Sequence, residues 1–339
     1  MYIGFYNYYN EYNKNKMFTD KSSPIGDDLS YPMVFLKEYL EGNGHRVCTI
    51  DMDRIERFDA IVFIDYPTFK NEYFRSLVDA KYSNLYLLLL ESLIHRPDNY
   101  NEGNHKYFKK VFTWDDRLVD NRKYFKINYS FRLPQSIGVE QDRSKKLCAM
   151  VIGHKRITHE LELYTERIKA VRWFENNFPE DFDLYGIGWD KYIFRGVLGR
   201  LNNFDLLAKI LKPHYPSYRG RVKSKKEILS KYKFAICYEN AKDISGYITE
   251  KIFDCFFAGC VPIYLGADNV TQYIPKECFI DKRNYNAYED LHKYLINMPD
   301  KEYTDYLNSI NNFINTDRSY LFSAKYFAKT IRDEIANAL

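Results

Sequence analysis

The sequence predicts an α/β protein with two Rossmann-like, doubly wound domains that face a cleft. Three observations support this: 339 residues exceed what one core usually serves, short apolar runs alternate with helical patterns in both halves, and a polar stretch separates the halves. Such alternation is typical of a parallel sheet with helices on both faces. Ligands of these folds bind at the carboxyl ends of the strands, where we look for functional residues.

In the first half, four apolar runs are predicted as strands and two amphipathic patterns as helices. The strands are MYIGFY, HRVCTID, FDAIVFID and NLYLLLLE, and the helices cover residues 28–40 and 69–81. The stretch 115–146 contains Pro134 and the charged run QDRSKK, which favours an inter-domain connection. The first domain is therefore predicted to cover residues 1–140.

The second half repeats the alternation and predicts a domain over residues 145–315. Its strands are LCAMVIG, DLYGIG, FAICYE and VPIYLG, and its helices are residues 160–177, KEILSKY and TEKIFDCFFAG. Residues 316–339 are predicted to add a C-terminal amphipathic helix with Phe327, Ile331 and Ile335 on one face.

Composition limits the classes of partner. The net charge of +4 suits a small anionic ligand and is too weak to indicate nucleic acid. An aromatic share of 17% indicates either a compositional bias or an aromatic sugar site. Six cysteines without a CxxC pair are predicted to be free buried thiols in a reducing compartment. No signal peptide or membrane span is expected, so we predict a cytoplasmic protein, with peripheral contact at the inner membrane face as an alternative.

A Glu250-Lys251 pair opens the short apolar helix predicted within TEKIFDCFFAG, with Thr249 as its N-cap. A cation in the first turn opposes the helix dipole, at a cost of roughly 0.3–1 kcal/mol when exposed. An anion bound at that end would make the electrostatic energy of the lysine favourable instead of unfavourable. Two explanations follow: a diphosphate ligand, or an ion pair of Lys251 with Glu250 or with Asp243.

Residues 233–280 resemble the signature of the α1,3-fucosyltransferase family. The segment reads KFAICYENAKDISGYITEKIFDCFFAGCVPIYLGADNVTQYIPKECFI, with Tyr238 and Cys278 where the family has Phe and Ser. The resemblance implies the glycosyltransferase B fold, a GDP-fucose donor and inversion at the anomeric carbon. It also implies that the first domain binds the acceptor and the second binds the GDP-sugar.

Weaker resemblance extends upstream. ERIKAVRWFENN is similar to a family helix with a characteristic arginine, which is Arg167 in this register and Arg172 in the competing one. NLYLLLLESLIHRPDN is similar to the family's strand and Gly-Glu-Asn triplet, with Glu91 in the Glu position. Leu90 and Ser92 differ from that triplet.

The resemblance implies a role for each of these residues. Glu91 would be the catalytic base, with a pKa raised by burial among leucines. Lys251 and Arg167 would stabilise the leaving diphosphate, as a point charge and a bidentate fork. The residues assigned to substrate binding are Arg167, Lys233, Glu239, Asn240, Tyr247, Glu250 and Lys251.

No metal or other cofactor is expected. Two Asp-x-Asp triplets, at Asp51 and Asp53 and at Asp181 and Asp183, have the form of a metal site, but the family resembled uses Lys and Arg for its phosphates. The predicted function is an inverting fucosyltransferase that acts on an oligosaccharide or glycolipid, α1,3-linked, in surface glycan or lipopolysaccharide synthesis. The alternatives are a same-fold transferase for another nucleotide sugar and a non-catalytic sugar-nucleotide or glycan-binding protein.

Overall fold

The computed structural model describes residues 1–19, 27–28, 30–139, 144–194, 200, 211 and 213–339. The chain divides into two compact units. The first unit contains Met1–Leu133, Ser245–Tyr247 and Asp317–Leu339, and the second contains Pro134–Ile244 and Ile248–Thr316. Each unit is built around its own parallel sheet.

The first unit has a six-stranded sheet in the order β2-β1-β3-β4-β5-β6, and every neighbouring pair is parallel. The order reverses between β1 and β3, as in doubly wound flavodoxin-like sheets. The strands are β1 (Tyr2–Asn7), β2 (Arg46–Thr49), β3 (Ala60–Ile64), β4 (Leu85–Leu89), β5 (Lys110–Thr113) and β6 (Tyr124–Lys126).

Helices cover both faces of this sheet because successive residues of a strand point to opposite sides. Val62 of β3 packs in the core under the helices Tyr31–Gly42 and Ala324–Ala336. Phe63, the next residue, packs in the core under the helix Glu72–Asp79. The short helix Asp317–Tyr320 precedes the C-terminal helix.

The predicted apolar face of the C-terminal helix is confirmed. Phe327, Ile331 and Ile335 are all buried in the core that contains β1 and the helix Tyr31–Gly42. Ser323 caps the helix, because its hydroxyl accepts a hydrogen bond from the Tyr326 N–H at 3.0 Å. The helix is therefore an integral layer of the first unit.

The second unit has a five-stranded parallel sheet in the order β11-β10-β9-β7-β8. The strands are β7 (Lys146–Val151), β8 (Phe182–Tyr185), β9 (Tyr232–Tyr238), β10 (Val261–Leu265) and β11 (Ile280–Asp281). The helices are Tyr164–Asn177, Lys225–Leu229, Glu250–Phe257, Val270–Tyr273, Tyr288–Asn297 and Asp300–Ile314. The strand order reverses between β7 and β9, so the carboxyl ends of these strands are the expected ligand position.

Sequence patterns missed six of these elements, including the four-residue helix Val270–Tyr273. Strands β5, β6 and β11 have two to four residues each, too few for an apolar run to stand out. The helices Tyr288–Asn297 and Asp300–Ile314 are amphipathic but were not predicted. The predicted helix KEILSKY is also shorter than expected, because Tyr232 already belongs to β9.

All six cysteines are buried free thiols, as predicted. Among the helices of the described residues, none combines the length and the apolar character needed to cross a membrane.

Candidate functional site

The carboxyl end of β9 carries a fully buried carboxylate, that of Glu239. One of its oxygens accepts the N–H of Thr249 at 2.8 Å, and the other accepts the Thr249 hydroxyl at 2.6 Å. The Lys251 ammonium donates to this second oxygen at 3.1 Å. Thr249 is the N-cap residue, as predicted, but its hydroxyl donates to Glu239 and makes no capping bond to the helix. Glu239 therefore supplies a negative charge at the positive end of the helix Glu250–Phe257.

The surroundings of Lys251 decide how its charge is balanced. Besides Glu239, its ammonium contacts the Thr249 hydroxyl at 2.9 Å and a Glu250 oxygen at 3.4 Å. The predicted ion pair with Glu250 therefore exists, but it lies largely out of solvent, with the Lys251 side chain 11% exposed. Asp243 instead lies 3.6 Å from Lys242. The cation is held in place by internal carboxylates before any ligand arrives.

A second ammonium, that of Lys225, lies beside the same helix. It donates to Asp254 at 2.7 Å and lies 4.0 Å from Glu250, and the Lys225 and Asp254 side chains are each 14% exposed. We call Lys225, Glu239, Glu250, Lys251 and Asp254 the charge cluster. Sequence reasoning missed Lys225 and Asp254, although Asp254 stands four residues after Glu250 on one helix face.

Burial and charge act in opposite directions on the acids of the cluster. Burial would raise the pKa of Glu250, but Lys251 and Lys225 together lower it to about 2. Burial raises the pKa of Asp254 to about 6, although Lys225 opposes the shift, and Glu250 adds to it. Burial is therefore the main physical reason that the pKa of Asp254 is raised and that this carboxyl holds its proton more tightly.

The raised pKa of Asp254 makes folding stability depend on pH. The folded state binds this proton more tightly than the unfolded state, so the carboxyl reduces the free energy of unfolding as pH rises from about 4 to about 6. We expect Asp254→Asn to remove this loss, which is on the order of 2–3 kcal/mol. Urea unfolding of both proteins between pH 4 and 8 measures the difference. Loss of the Lys225 contact lowers the free energy of unfolding of the variant by the same amount at every pH and does not alter its pH dependence. If the free energies of the two proteins change with pH in the same way, the raised pKa of Asp254 is contradicted.

Arg167 lies against the exit of β9, and its side chain is buried. One guanidinium nitrogen donates to the carbonyl oxygens of Tyr238 and Glu239, both at 2.7 Å, and to the Asn240 side chain at 3.0 Å. Arg172, the competing choice, donates instead to Glu175 and to the His214 carbonyl. Arg167 therefore fixes the backbone that carries Glu239 and Asn240, and its direct contact with a phosphate stays a prediction.

Tyr247 belongs with the first unit, together with Ser245 and Gly246. Its ring is buried and lies 4.7 Å, centroid to centroid, from the ring of Trp114. Gly246 has a φ of +84°, and a Cβ there would lie 2.2 Å from the Trp114 carbonyl oxygen. Only glycine fits this close approach, so the Gly-Tyr dipeptide of the signature is needed for packing.

Lys233 is not brought together with the other predicted residues. It stands at the amino end of β9, six residues or about 20 Å along the strand from Glu239. Its ammonium lies over the Tyr303 ring, 5.9 Å from the centroid. Because ligands of parallel sheets bind at the carboxyl ends of strands, this position favours a structural role.

Glu91 follows β4 in the first unit, and its expected burial is wrong. The side chain is 38% exposed, and its carboxylate lies 3.6 Å from the His95 ring nitrogen. The backbone is fixed by Asp65, whose buried carboxylate accepts the N–H groups of Leu90 and Glu91 at 2.9 and 3.1 Å. Asp65 was missed, although it comes directly after β3 in FDAIVFID.

The two Asp-x-Asp triplets are engaged by protein groups. Asp53 pairs with Arg57 at 3.0 Å, and Asp183 pairs with Lys146 at 2.8 Å. Asp181 lies 2.7 Å from the His292 ring. Within the part of the chain that the structure describes, no three His, Cys, Asp or Glu side chains are grouped so as to hold a metal ion.

Comparison with known proteins gives matches in sequence and in structure. Residues 203–325 match the family model described as glycosyltransferase family 10 (fucosyltransferase), C-terminal region. An α-(1,3)-fucosyltransferase FucT of Helicobacter pylori is 42% identical over 77 residues, which is 22% of this chain and 16% of that protein. Human 4-galactosyl-N-acetylglucosaminide 3-α-L-fucosyltransferase 9 is 35% identical over 124 residues, or 34% of each chain. The chain thus spans 16% of the first of these relatives and 34% of the second.

Two solved structures resemble the fold over nearly the whole chain. A crystal structure of an α1,3-fucosyltransferase superposes with a TM-score of 0.56 at 13% identity, over 99% of this chain and 90% of the other. A DNA-modifying β-glucosyltransferase superposes with a TM-score of 0.54 at 12% identity, over 99% and 100%. At such identities the likeness establishes the fold alone.

The two doubly wound units and these structural likenesses define the class: the chain has the two-domain B fold of glycosyltransferases. Within that class, residues 203–325 match the family model of glycosyltransferase family 10, the fucosyltransferases, over about a third of the chain. The predicted resemblance to α1,3-fucosyltransferases is thereby confirmed.

Proposed function

We propose that this protein is an inverting fucosyltransferase that moves L-fucose from GDP-fucose to a hydroxyl of a glycan in an α1,3 linkage, in surface glycan or lipopolysaccharide synthesis. One observation carries the proposal. Glu239, Glu250 and Lys251 of the 233–280 signature converge at the carboxyl end of β9, within the segment that matches the family. A solved α1,3-fucosyltransferase of similar fold, at a TM-score of 0.51 and 13% identity, was determined with GDP-fucose.

The donor side of the reaction needs positive charge near the departing diphosphate. As the bond from the anomeric carbon to the phosphate oxygen breaks, GDP leaves with the electron pair and gains negative charge. Lys251 supplies an ammonium already oriented by Glu239 and Glu250, beside the N-terminus of an eight-residue helix. Such preorganised charge stabilises the transition state without reorganisation at the moment of reaction. Asn240 and Glu250 provide hydrogen-bonding groups for the sugar hydroxyls.

The acceptor side needs a base that takes the proton of the attacking hydroxyl. The partly exposed carboxylate of Glu91 is accessible to such a hydroxyl, and its backbone is held by Asp65. The new bond from the acceptor oxygen to the anomeric carbon forms as the bond to phosphate breaks, and the proton passes to Glu91. One displacement inverts the anomeric configuration.

A donor screen tests the proposal. The full chain is incubated with GDP-fucose, GDP-mannose or UDP-glucose and 4-galactosyl-N-acetylglucosaminide oligosaccharides, and GDP or UDP release is followed. We expect release and transfer with GDP-fucose alone, with the α1,3 linkage read by NMR. Activity should survive EDTA, since no metal is expected. Transfer from another nucleotide sugar would instead indicate a same-fold transferase for that sugar. Binding of GDP-fucose without transfer would indicate a non-catalytic sugar-nucleotide-binding protein.

A further inference from the structure

We propose that Lys225 and Asp254 are a positioning pair that sets the net charge of the donor diphosphate site. Lys225 offsets part of the Glu250 charge, so that Glu239 and Glu250 do not fully cancel the positive charge of Lys251. Asp254 adds a negative charge, which limits how strongly the site attracts anions. This inference rests on the proposed function, because it names further residues that tune the same site.

The geometry places Glu250 between two cations. One of its carboxylate oxygens lies 3.4 Å from the Lys251 ammonium and 4.0 Å from the Lys225 ammonium. Lys225 belongs to the separate helix Lys225–Leu229 and reaches the helix Glu250–Phe257 through its 2.7 Å bond to Asp254. Asp254 therefore anchors Lys225 at the distance from which it acts on Glu250.

Little water separates these charges. The five side chains of the charge cluster are between 0% and 18% exposed. A cavity of about 20 Å³ lies among Lys225, Lys251 and Asp254 and is also lined by Cys237 and Cys255. It has room for about one water molecule. Charges in such surroundings interact more strongly than in bulk solvent, so removing one of them changes the field at its neighbours.

Counting formal charges gives opposite expectations for the two residues. With three carboxylates and two ammonium groups, the ionised cluster carries one negative charge. Removing the Lys225 charge leaves two negative charges, which should repel a diphosphate. Removing the Asp254 charge leaves a neutral cluster, which should attract it more. Other charges nearby, including Arg167, are unchanged in both variants and cancel from the comparison.

The test measures GDP affinity by calorimetry at pH 8 for the full chain and its variants. We expect Lys225→Met to weaken GDP binding about tenfold or more and Asp254→Asn to tighten it several-fold. The double variant restores one net negative charge and should bind GDP within about threefold of the wild type. Lys225→Arg should retain affinity. Lys226→Met is the matched control, because it removes the same charge from an exposed neighbouring position.

A merely structural pair would behave differently. Both single variants would then lower the thermal unfolding midpoint and leave GDP affinity unchanged, and that result overturns the inference. If Lys225→Met does not fold, Asp254→Asn alone decides, since it keeps both ammonium groups and must bind GDP more tightly. A wild type that binds no GDP would overturn the proposed function as well, whereas wild-type binding with unshifted variants overturns only this inference.

Discussion

Replacing Lys251 with methionine is expected to lower kcat/KM for GDP-fucose by about 100- to 1000-fold, the usual cost of removing one group that stabilises developing charge. The loss should exceed that of a typical surface cation because Glu239 and Glu250 stay behind without their shared partner. These carboxylates would then repel the diphosphate, so GDP affinity should fall too. Initial rates and GDP titrations with the full chain measure both effects.

Lys233→Met is the matched control for this variant. It removes the same charge from the same unit, but at the amino end of β9 and beside Tyr303. We expect its kcat/KM to stay within about threefold of the wild type, because its charge lies about 20 Å along β9 from Glu239. If kcat/KM falls equally in the two variants, the position of Lys251 at the carboxyl end of β9 does not explain its effect. The assignment of the donor site to that position would then be wrong.

Glu91→Gln is expected to reduce kcat by about 10²- to 10⁴-fold, the range that general base catalysis contributes. The amide keeps the shape of the side chain but cannot accept the proton at neutral pH. GDP affinity should stay unchanged, because the residues assigned to GDP lie in the second unit, apart from Tyr247. Single-turnover rates and GDP titrations separate the two effects.

The control for Glu91→Gln is Glu56→Gln, an exposed glutamate of the same unit. Its kcat should match that of the wild type. Unchanged turnover in Glu91→Gln would remove Glu91 as the base. The nearby carboxylate of Asp65 would not replace it, because it is buried and already accepts the backbone N–H groups of Leu90 and Glu91.

The Glu-Lys pair at the start of a buried helix now has a local explanation. Glu239 and Glu250 balance the Lys251 charge and the helix dipole together, and Thr249 links Glu239 to the first turn. An ion pair and a diphosphate site are therefore compatible explanations. Fixing a cation with internal carboxylates is a way to preorganise it for a ligand that comes and goes.

Much of the fold could be predicted because its longer elements are locally encoded. Continuous apolar runs such as NLYLLLLE mark buried parallel strands, and the period of Phe327, Ile331 and Ile335 marks a helix face. Short elements escaped because burial of two to four residues leaves little periodic signal. Strand β6, for example, is half-buried and lies in a polar stretch.

The sequence by itself determined the alternation of strands and helices, the family signature in residues 233–280 and the presence of charge at the start of the helix Glu250–Phe257. Only the tertiary structure decided that Lys251 pairs with Glu239, that Lys225 and Asp254 join it, and that Glu91 is partly exposed. The physical reason is that periodicity and motif are properties of neighbouring residues. Burial and charge balance depend instead on which distant segments meet at the end of a strand, and Lys225 stands 25 residues before Glu250 in the chain.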